Sequence, residues 1–148
     1  MKIQQTEIKI NVNIFNESCR KALPRQKIIN IAKKIFLDAE HKNASINIIF
    51  VDNKKIKKIN REFLKHNYAT DVISFCIENE PIEGEIYISA EIAKSNALEF
   101  NATWTDELMR YVIHGILHLI GYEDFSFTER EKMRKLEDEY LHFAANNF

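Results

Sequence analysis

Residues 110–124 read Arg-Tyr-Val-Ile-His-Gly-Ile-Leu-His-Leu-Ile-Gly-Tyr-Glu-Asp and combine residue types that can bind a metal ion. His114 and His118 are four residues apart, so on a helix they share one face. Gly121 follows, and a glycine just after a helix can adopt the left-handed conformation that turns the chain. That turn would bring the Asp124 carboxylate back toward the two imidazoles. We therefore predict that His114, His118 and Asp124 bind one divalent cation and leave a fourth position open for water, as catalytic zinc sites do.

Each of these residues also has a simpler explanation. Two histidines on an apolar helix are often core residues, and Asp124 could instead cap the final helix. Two capping boxes are already present nearby, in Ser126-x-x-Glu129 and Thr128-x-x-Glu131. Because these caps make Asp124 unnecessary for that purpose, the metal interpretation is favoured.

Gly115, which follows the first histidine, argues against one class of metal enzyme. The order H-x-x-x-H-x-x-G-x-x-D parallels the zinc proteases with H-E-x-x-H-x-x-G-x-x-H, in which the glutamate is the general base. Glycine occupies that position here, so we do not expect a peptidase. Glycine inside a helix costs about 1 kcal/mol relative to alanine. Its presence indicates close approach of another backbone or of a substrate, or else packing between helices.

The segment 114–124, His-Gly-Ile-Leu-His-Leu-Ile-Gly-Tyr-Glu-Asp, resembles H-G-x-L-H-L-x-G-Y-D-H of the YbeY family. Members of that family are bacterial rRNA maturation factors described as metal-dependent endoribonucleases. Asn60-Arg61, followed by Ala-Thr-Asp-Val-Ile-Ser-Phe at 69–75, resembles the family's N-x-x-[YF]-R or L-N-x-x-[FY]-R region and its P-T-D-V-L-S-F. Gly-Glu-Ile-Tyr-Ile-Ser at 84–89 is similar to G-D-I-x-I-S, and Met133 falls where the family often has methionine.

This resemblance implies a hydrolase, a single-strand-specific metallo-endoribonuclease of rRNA processing that acts in maturation of the 16S rRNA 3′ end and in ribosome quality control. It implies one zinc ion, rRNA and the small ribosomal subunit as partners, and a cytoplasmic location, with no membrane or DNA partner. The alternative is a non-catalytic ribosome-assembly factor whose metal is mainly structural. The third ligand of the family is usually His, so Asp124 adds a negative charge and could shift preference toward another divalent metal. Glu85 for Asp and Ala69 for Pro are further departures.

A basic segment could bind RNA although the chain as a whole has a net charge of −1. Residues 53–67 carry six Lys or Arg and one Glu, a local charge of +5. We predict RNA contacts from the five lysines of this segment, Lys54, Lys55, Lys57, Lys58 and Lys65. Arg61 is the predicted catalytic residue because its planar guanidinium can hold a phosphate bidentately, and the resemblance points to it as well. The alternative for the lysines is a solvated helix face, and the alternative for Arg61 is an ion pair with Glu62 or a neighbouring carboxylate. We predict that Asp71 shapes the start of a strand, and the alternative is a metal-supporting or catalytic role.

The elements that must position these residues follow from periodicity. Alternating or β-branched runs predict four strands, and apolar residues at helical spacing predict five helices. The strands are expected at about 8–14, 46–51, 72–77 and 86–88, and the helices at about 24–39, 53–63, 89–100, 105–120 and 128–144. We predict an α/β (α+β) fold with a mixed four-stranded sheet and the metal-binding helix in the C-terminal half.

Length and composition agree with one domain spanning 1–148. The chain has 148 residues, 45% of them hydrophobic and 29% charged, which is typical of a globular protein. Cys19 and Cys76 are too few for a disulfide framework. The most apolar stretch, 108–121, is shorter than the about 20 residues that span a bilayer, and residues 1–13 lack the apolar core of a signal peptide.

Overall fold

A computed structural model describes residues 7–17, 21–66 and 70–148. The predicted order of elements is confirmed. They are β1 (Lys9–Asn16), α1 (Arg25–Asp38), β2 (Asn43–Val51), α2 (Asn53–Leu64), β3 (Val72–Asn79), β4 (Ile82–Ser89), α3 (Ala90–Glu99), α4 (Trp104–Leu119) and α5 (Phe127–Asn147). Cys19 and Ala69 lie outside the described residues, and Cys76 is an exposed free thiol.

The four strands form one mixed sheet in the order β1-β2-β4-β3. β1 pairs with β2 and β2 with β4 in parallel, whereas β3 runs antiparallel to β4. Ile48 of β2 is opposite Ile14 of β1 and Ile86 of β4, so apolar side chains stack in a row across the sheet. The short connection between β3 and β4 explains their antiparallel pairing, since parallel neighbours need a long crossover.

The two faces of the sheet are covered by different helices. Successive strand residues point to opposite faces, and Ile46 and Ile48 belong to the large buried core that α1, α3, α4 and α5 complete. The opposite face of the sheet carries Ile49, which packs with Ile56 and Ile59 of α2 in a smaller cluster. α2 and α4 therefore lie on opposite faces of the sheet.

Local capping defines the two helices nearest to the predicted site. The Thr103 side chain accepts a hydrogen bond from the Asp106 backbone N–H, 3.1 Å away, at the start of α4. Ser126 and Glu129 form the predicted capping box of α5, with distances of 3.1 Å and 3.0 Å. Ser126, and not Thr128 or Asp124, is thus the cap of α5. In the part of the chain that the structure describes, no helix is long and apolar enough to cross a membrane.

Candidate metal centre

The C-terminal end of α4 turns at a glycine, as the sequence predicted. Gly121 has φ +106°, a conformation that residues with a side chain rarely adopt. Its N–H donates to the His118 carbonyl at 3.1 Å, and the Tyr122 N–H donates to the Leu117 carbonyl at 3.0 Å. These two bonds satisfy carbonyls at the helix end and form a Schellman motif. The turn directs the following residues back along α4.

This turn brings three candidate ligand atoms together. Nε2 of His114 and Nε2 of His118 are 3.0 Å apart. Oδ2 of Asp124 lies 3.5 Å from the first and 3.4 Å from the second. Atoms that each lie about 2.0–2.1 Å from one tetrahedral zinc ion are about 3.3 Å from each other. The donor types and their separations therefore fit a single divalent cation, and this His-His-Asp group can bind a metal.

A buried glutamate, which the sequence analysis did not identify, contacts the first histidine at Nδ1, the ring nitrogen that does not face the other two ligands. Oε2 of Glu137 on α5 lies 2.8 Å from Nδ1 of His114. Glu137 is 6% exposed, and its other oxygen accepts a hydrogen bond from Arg110 Nη1 at 3.0 Å. Arg110 also donates to Asp138 at 2.7 Å. A proton at Nδ1 that donates to Glu137 leaves the Nε2 lone pair directed toward His118 and Asp124, the arrangement that supports metal ligation.

The surroundings of His114 favour its protonated form. Burial by itself lowers the pKa of His114, but the hydrogen bond to Glu137 and the charges of Glu137, Asp71 and Asp124 raise it. The net result is a pKa of His114 above its ordinary value. Because a metal ion needs the unprotonated Nε2, protons compete with the cation for this site.

A cavity of about 590 Å³ lies beside the candidate ligands. Its walls come from the start of β3, from α3, α4 and α5, and from the loop that carries Asp124. Asp71 is in this wall, and its carboxylate accepts a hydrogen bond from the Val72 N–H at 2.8 Å. Asp71 therefore shapes the start of β3, as we predicted, and also contributes negative charge near His114.

Gly115 has a different role from the one that the sequence suggested. A Cβ atom on Gly115 would lie 2.7 Å from Cγ2 of Ile86 and 3.1 Å from the hydroxyl of Ser74. The Ser74 hydroxyl donates to the Gly115 carbonyl at 3.0 Å. The close neighbours are thus side chains of β3 and β4. Glycine is required here because α4 packs closely on the side chains of the sheet, and not because a second helix or another backbone approaches.

Arg61 and the five lysines lie on α2 and at its C-terminal cap, and α2 packs on the face of the sheet opposite α4. Arg61 is exposed on α2 and lines a shallow second cavity of about 450 Å³ with four lysines, Lys54, Lys55, Lys57 and Lys58. None of these residues lines the cavity beside His114. Lys55 forms an ion pair with Glu17, and the hydrogen bond that Lys55 donates to this carboxylate raises the pKa of Lys55. Lys65 is exposed and caps the C-terminal end of α2.

The spacing of the family motif does not support Arg61 as the family's arginine, so its predicted catalytic role depends on the chemistry of its side chain. In N-x-x-[YF]-R the arginine follows the asparagine by four positions, and four positions after Asn60 this chain has Leu64. The alternative for Arg61, an ion pair with Glu62 or a neighbouring carboxylate, is not seen among the described side chains. Glu85 lines a small apolar pocket with Phe63 and Phe75 on the α2 face of the sheet. The roles of Arg61 and the lysines remain predictions.

Comparison with known proteins gives one consistent result. The family model described as Endoribonuclease YbeY matches residues 3–145. Endoribonuclease YbeY of Chlorobium chlorochromatii (strain CaD3) is 38% identical over 125 residues, which cover 84% of this chain and 80% of the relative. Endoribonuclease YbeY of Chlorobium limicola is 45% identical over 106 residues, which cover 70% of this chain and 74% of the relative. The solution structure of TM1509 from Thermotoga maritima matches with a TM-score of 0.62 and 30% identity, over 91% of this chain and 88% of that chain.

Proposed function

The chain belongs to the endoribonuclease YbeY family, and from that premise we propose that it cleaves single-stranded RNA with one metal ion held by His114, His118 and Asp124. The observation that carries this proposal is the set of separations between the three ligand atoms, 3.0, 3.4 and 3.5 Å. Family membership supplies the reaction class, and the geometry supplies a place for the cation that the reaction needs.

The exposure of the ligands favours a catalytic metal over a structural one. The side chains of His114, His118 and Asp124 are 22%, 25% and 34% exposed. Structural zinc sites close the metal with four protein ligands, whereas catalytic sites use three and keep an open position. Three partly exposed ligands beside a cavity leave room for a phosphodiester to reach the cation. This arrangement disfavours the alternative of an assembly factor with a mainly structural metal.

The protein's own groups prepare this site for the reaction. When bound, the cation supplies Lewis acidity toward a phosphoryl oxygen or toward water. Glu137 holds the proton at Nδ1 of His114, which keeps Nε2 available as a ligand. Asp124 adds a negative charge to the ligand set, which lowers the net charge of the centre relative to three histidines. We infer zinc as the cation, with an oxygen-preferring divalent ion such as Mn²⁺ as the competitor.

The biological substrate follows from the family. We propose that the RNA is rRNA in the small ribosomal subunit, with cleavage near the 3′ end of 16S rRNA, and a role in ribosome quality control in the cytoplasm. The exposed lysines of α2 and Arg61 are proposed to contact that RNA outside the metal cavity, since a net positive segment binds phosphates without regard to sequence. No DNA or membrane partner is proposed.

The test combines metal content with RNA cleavage. Purified wild type is analysed for bound metal and incubated with a single-stranded oligoribonucleotide, in parallel with His114→Ala and with His142→Ala as a matched histidine control outside the site. We expect His114→Ala to lose both bound metal and cleavage while His142→Ala keeps both. Cleavage that survives in His114→Ala would show that the activity lies elsewhere. If His118→Ala only lowers the melting temperature and wild type never cuts RNA, the assembly-factor alternative is correct.

A further inference from the structure

Two arginines of α5 line the same cavity as the candidate ligands. Arg130 and Arg134 are one helical turn apart and share a face of α5. Nη1 of Arg130 donates to the Phe125 carbonyl at 2.9 Å and reaches the Asp124 carbonyl at 3.5 Å. Arg130 therefore fixes the loop that carries Asp124. Because backbone carbonyls and no carboxylate hold it, its positive charge still acts in the cavity.

Arg134 is the more available of the two cations. It is exposed at the cavity wall, and the structure gives it no hydrogen bond or ion pair within residues 7–17, 21–66 and 70–148. Arg110, by contrast, is held by Glu137 and Asp138 at 3.0 Å and 2.7 Å. An incoming anion would thus meet Arg134 without first displacing a carboxylate partner.

An exposed aromatic ring completes this side of the cavity. Phe100, at the C-terminal end of α3, is 66% exposed and lines the cavity with Arg134. Asn96 and Tyr111, hydrogen-bonded to each other, add polar groups to its wall. Proteins that bind single-stranded nucleic acid combine positive charge for the backbone with aromatic rings on which bases stack. Here the positive charge is on the α5 side of the cavity, at Arg130 and Arg134, whereas other parts of the lining carry carboxylates such as Asp71 and Glu107. The cavity volume of about 590 Å³ is within the range of small-ligand sites and suits one nucleotide.

Resting on the proposed function, we propose that this cavity binds the nucleotide next to the scissile phosphodiester, with its phosphate on Arg134 and its base stacked on Phe100. The substrate strand would then run from the metal ligands along α5 toward the end of α3. Such a path stays on the α4 face of the sheet, where the ligands are. The RNA strand does not need to reach α2 on the opposite face.

The experiment measures binding of a short single-stranded oligoribonucleotide, 2′-O-methylated to resist cleavage, to zinc-loaded protein by fluorescence anisotropy over a series of salt concentrations. Loss of one phosphate contact to a single strand reduces the slope of log affinity against log salt by about 0.7. We expect Arg134→Ala to weaken binding and to reduce the slope by that amount, and Arg134→Lys to keep the slope. Lys135→Ala, at an exposed position of α5 outside the cavity, is the matched control and should change neither quantity.

The Phe100→Ala variant tests whether the base stacks on Phe100. Its expected effect is a loss of affinity of about fivefold or more, the range for one base stacked on an aromatic side chain, with an unchanged salt slope. Both positions are exposed, so the melting temperatures should stay at the wild-type value.

The outcomes separate this subsite from the proposed activity. If wild type cleaves RNA but Arg134→Ala and Phe100→Ala bind like wild type, the subsite is wrong and the proposed function stands. The subsite is also wrong if Lys135→Ala reduces the salt slope as much as Arg134→Ala does. Wild type that neither binds nor cleaves single-stranded RNA overturns the proposed function, and the subsite with it.

Discussion

Glu137 and His114 are 23 residues apart in the chain, yet Oε2 of the glutamate lies 2.8 Å from Nδ1 of the imidazole. The carboxylate is nearly buried and is shared with Arg110, so it cannot turn away to solvent at low cost. This contact ties the orientation of the first candidate ligand to the packing of α5 on α4. Glu137 is therefore a positioning residue for the metal centre.

Replacement of Glu137 by Gln should weaken metal binding without a large change of fold. The amide has nearly the same size but lacks the charge that holds the Nδ1 proton, and loss of such an outer partner typically costs 10- to 100-fold in metal affinity. Competition with a chelating dye measures the zinc affinity. Asp138→Asn is the matched control, because it removes the other partner of Arg110 at a site that is 58% exposed and does not contact His114. Equal zinc affinities of the two variants would contradict the role of Glu137.

The contribution of His114 to the pH dependence of stability should reverse sign when zinc is added. Without metal, the pKa of His114 is higher in the folded protein than in the unfolded chain, where it is about 6.5. Its contribution to stability is then fully present below that unfolded value and is lost as the pH rises through the folded value. Zinc needs the neutral imidazole, so stabilisation by zinc should increase over the same range.

Melting temperatures in EDTA and in zinc, compared at about pH 6 and pH 8, check this prediction. The increase in melting temperature produced by zinc should be larger at the higher pH. His142→Asn, which changes an exposed histidine outside the site, should give the same pH dependence as wild type. A zinc effect of the same size at both pH values would show that His114 does not titrate against the metal.

Asp124 should determine both the strength and the selectivity of metal binding. Asp124→Ala removes a ligand, so the loss of zinc affinity should exceed the 10- to 100-fold loss that removal of an outer partner produces. Asp124→His restores three ligands but removes a negative charge and an oxygen donor. We expect this variant to keep zinc and to bind Mn²⁺ less well relative to zinc than wild type does. Elemental analysis after equilibration with both metals measures the ratio, and an unchanged ratio would exclude Asp124 from the ligand set.

The parts of the site that the sequence predicted are those set by local geometry. The spacing of His114 and His118, the turn at Gly121 and the cap at Ser126 all depend on residues within one or two helical turns. The order of helices and strands likewise followed from hydrophobic periodicity. These features required no knowledge of which elements pack together.

The parts that the sequence did not predict depend on packing between distant elements. Glu137 reaches His114 only because α5 packs on α4, and no local pattern distinguishes it from the other acids of that helix. The neighbours of Gly115 come from β3 and β4, whose position against α4 depends on the strand order. Arg61 of the basic helix α2 was predicted to be catalytic, a role that requires it to lie near the metal. The apolar face of α2 instead packs on the opposite side of the sheet.

Gly121 should be required for both stability and the metal site. Its φ of +106° is strained for any residue with a side chain, although a Cβ there would meet no atom within 4 Å. The cost of Gly121→Ala is therefore backbone strain, roughly 1–2 kcal/mol, which lowers the melting temperature of a domain of this size by about 2–8 °C. If the backbone relaxes to relieve the strain, Asp124 moves away from the imidazoles, so zinc affinity should fall as well. Glu123→Ala, in the same exposed loop, is the control and should leave both quantities unchanged. A Gly121→Ala variant that melts at the wild-type temperature and keeps its zinc would show that the turn does not depend on this glycine.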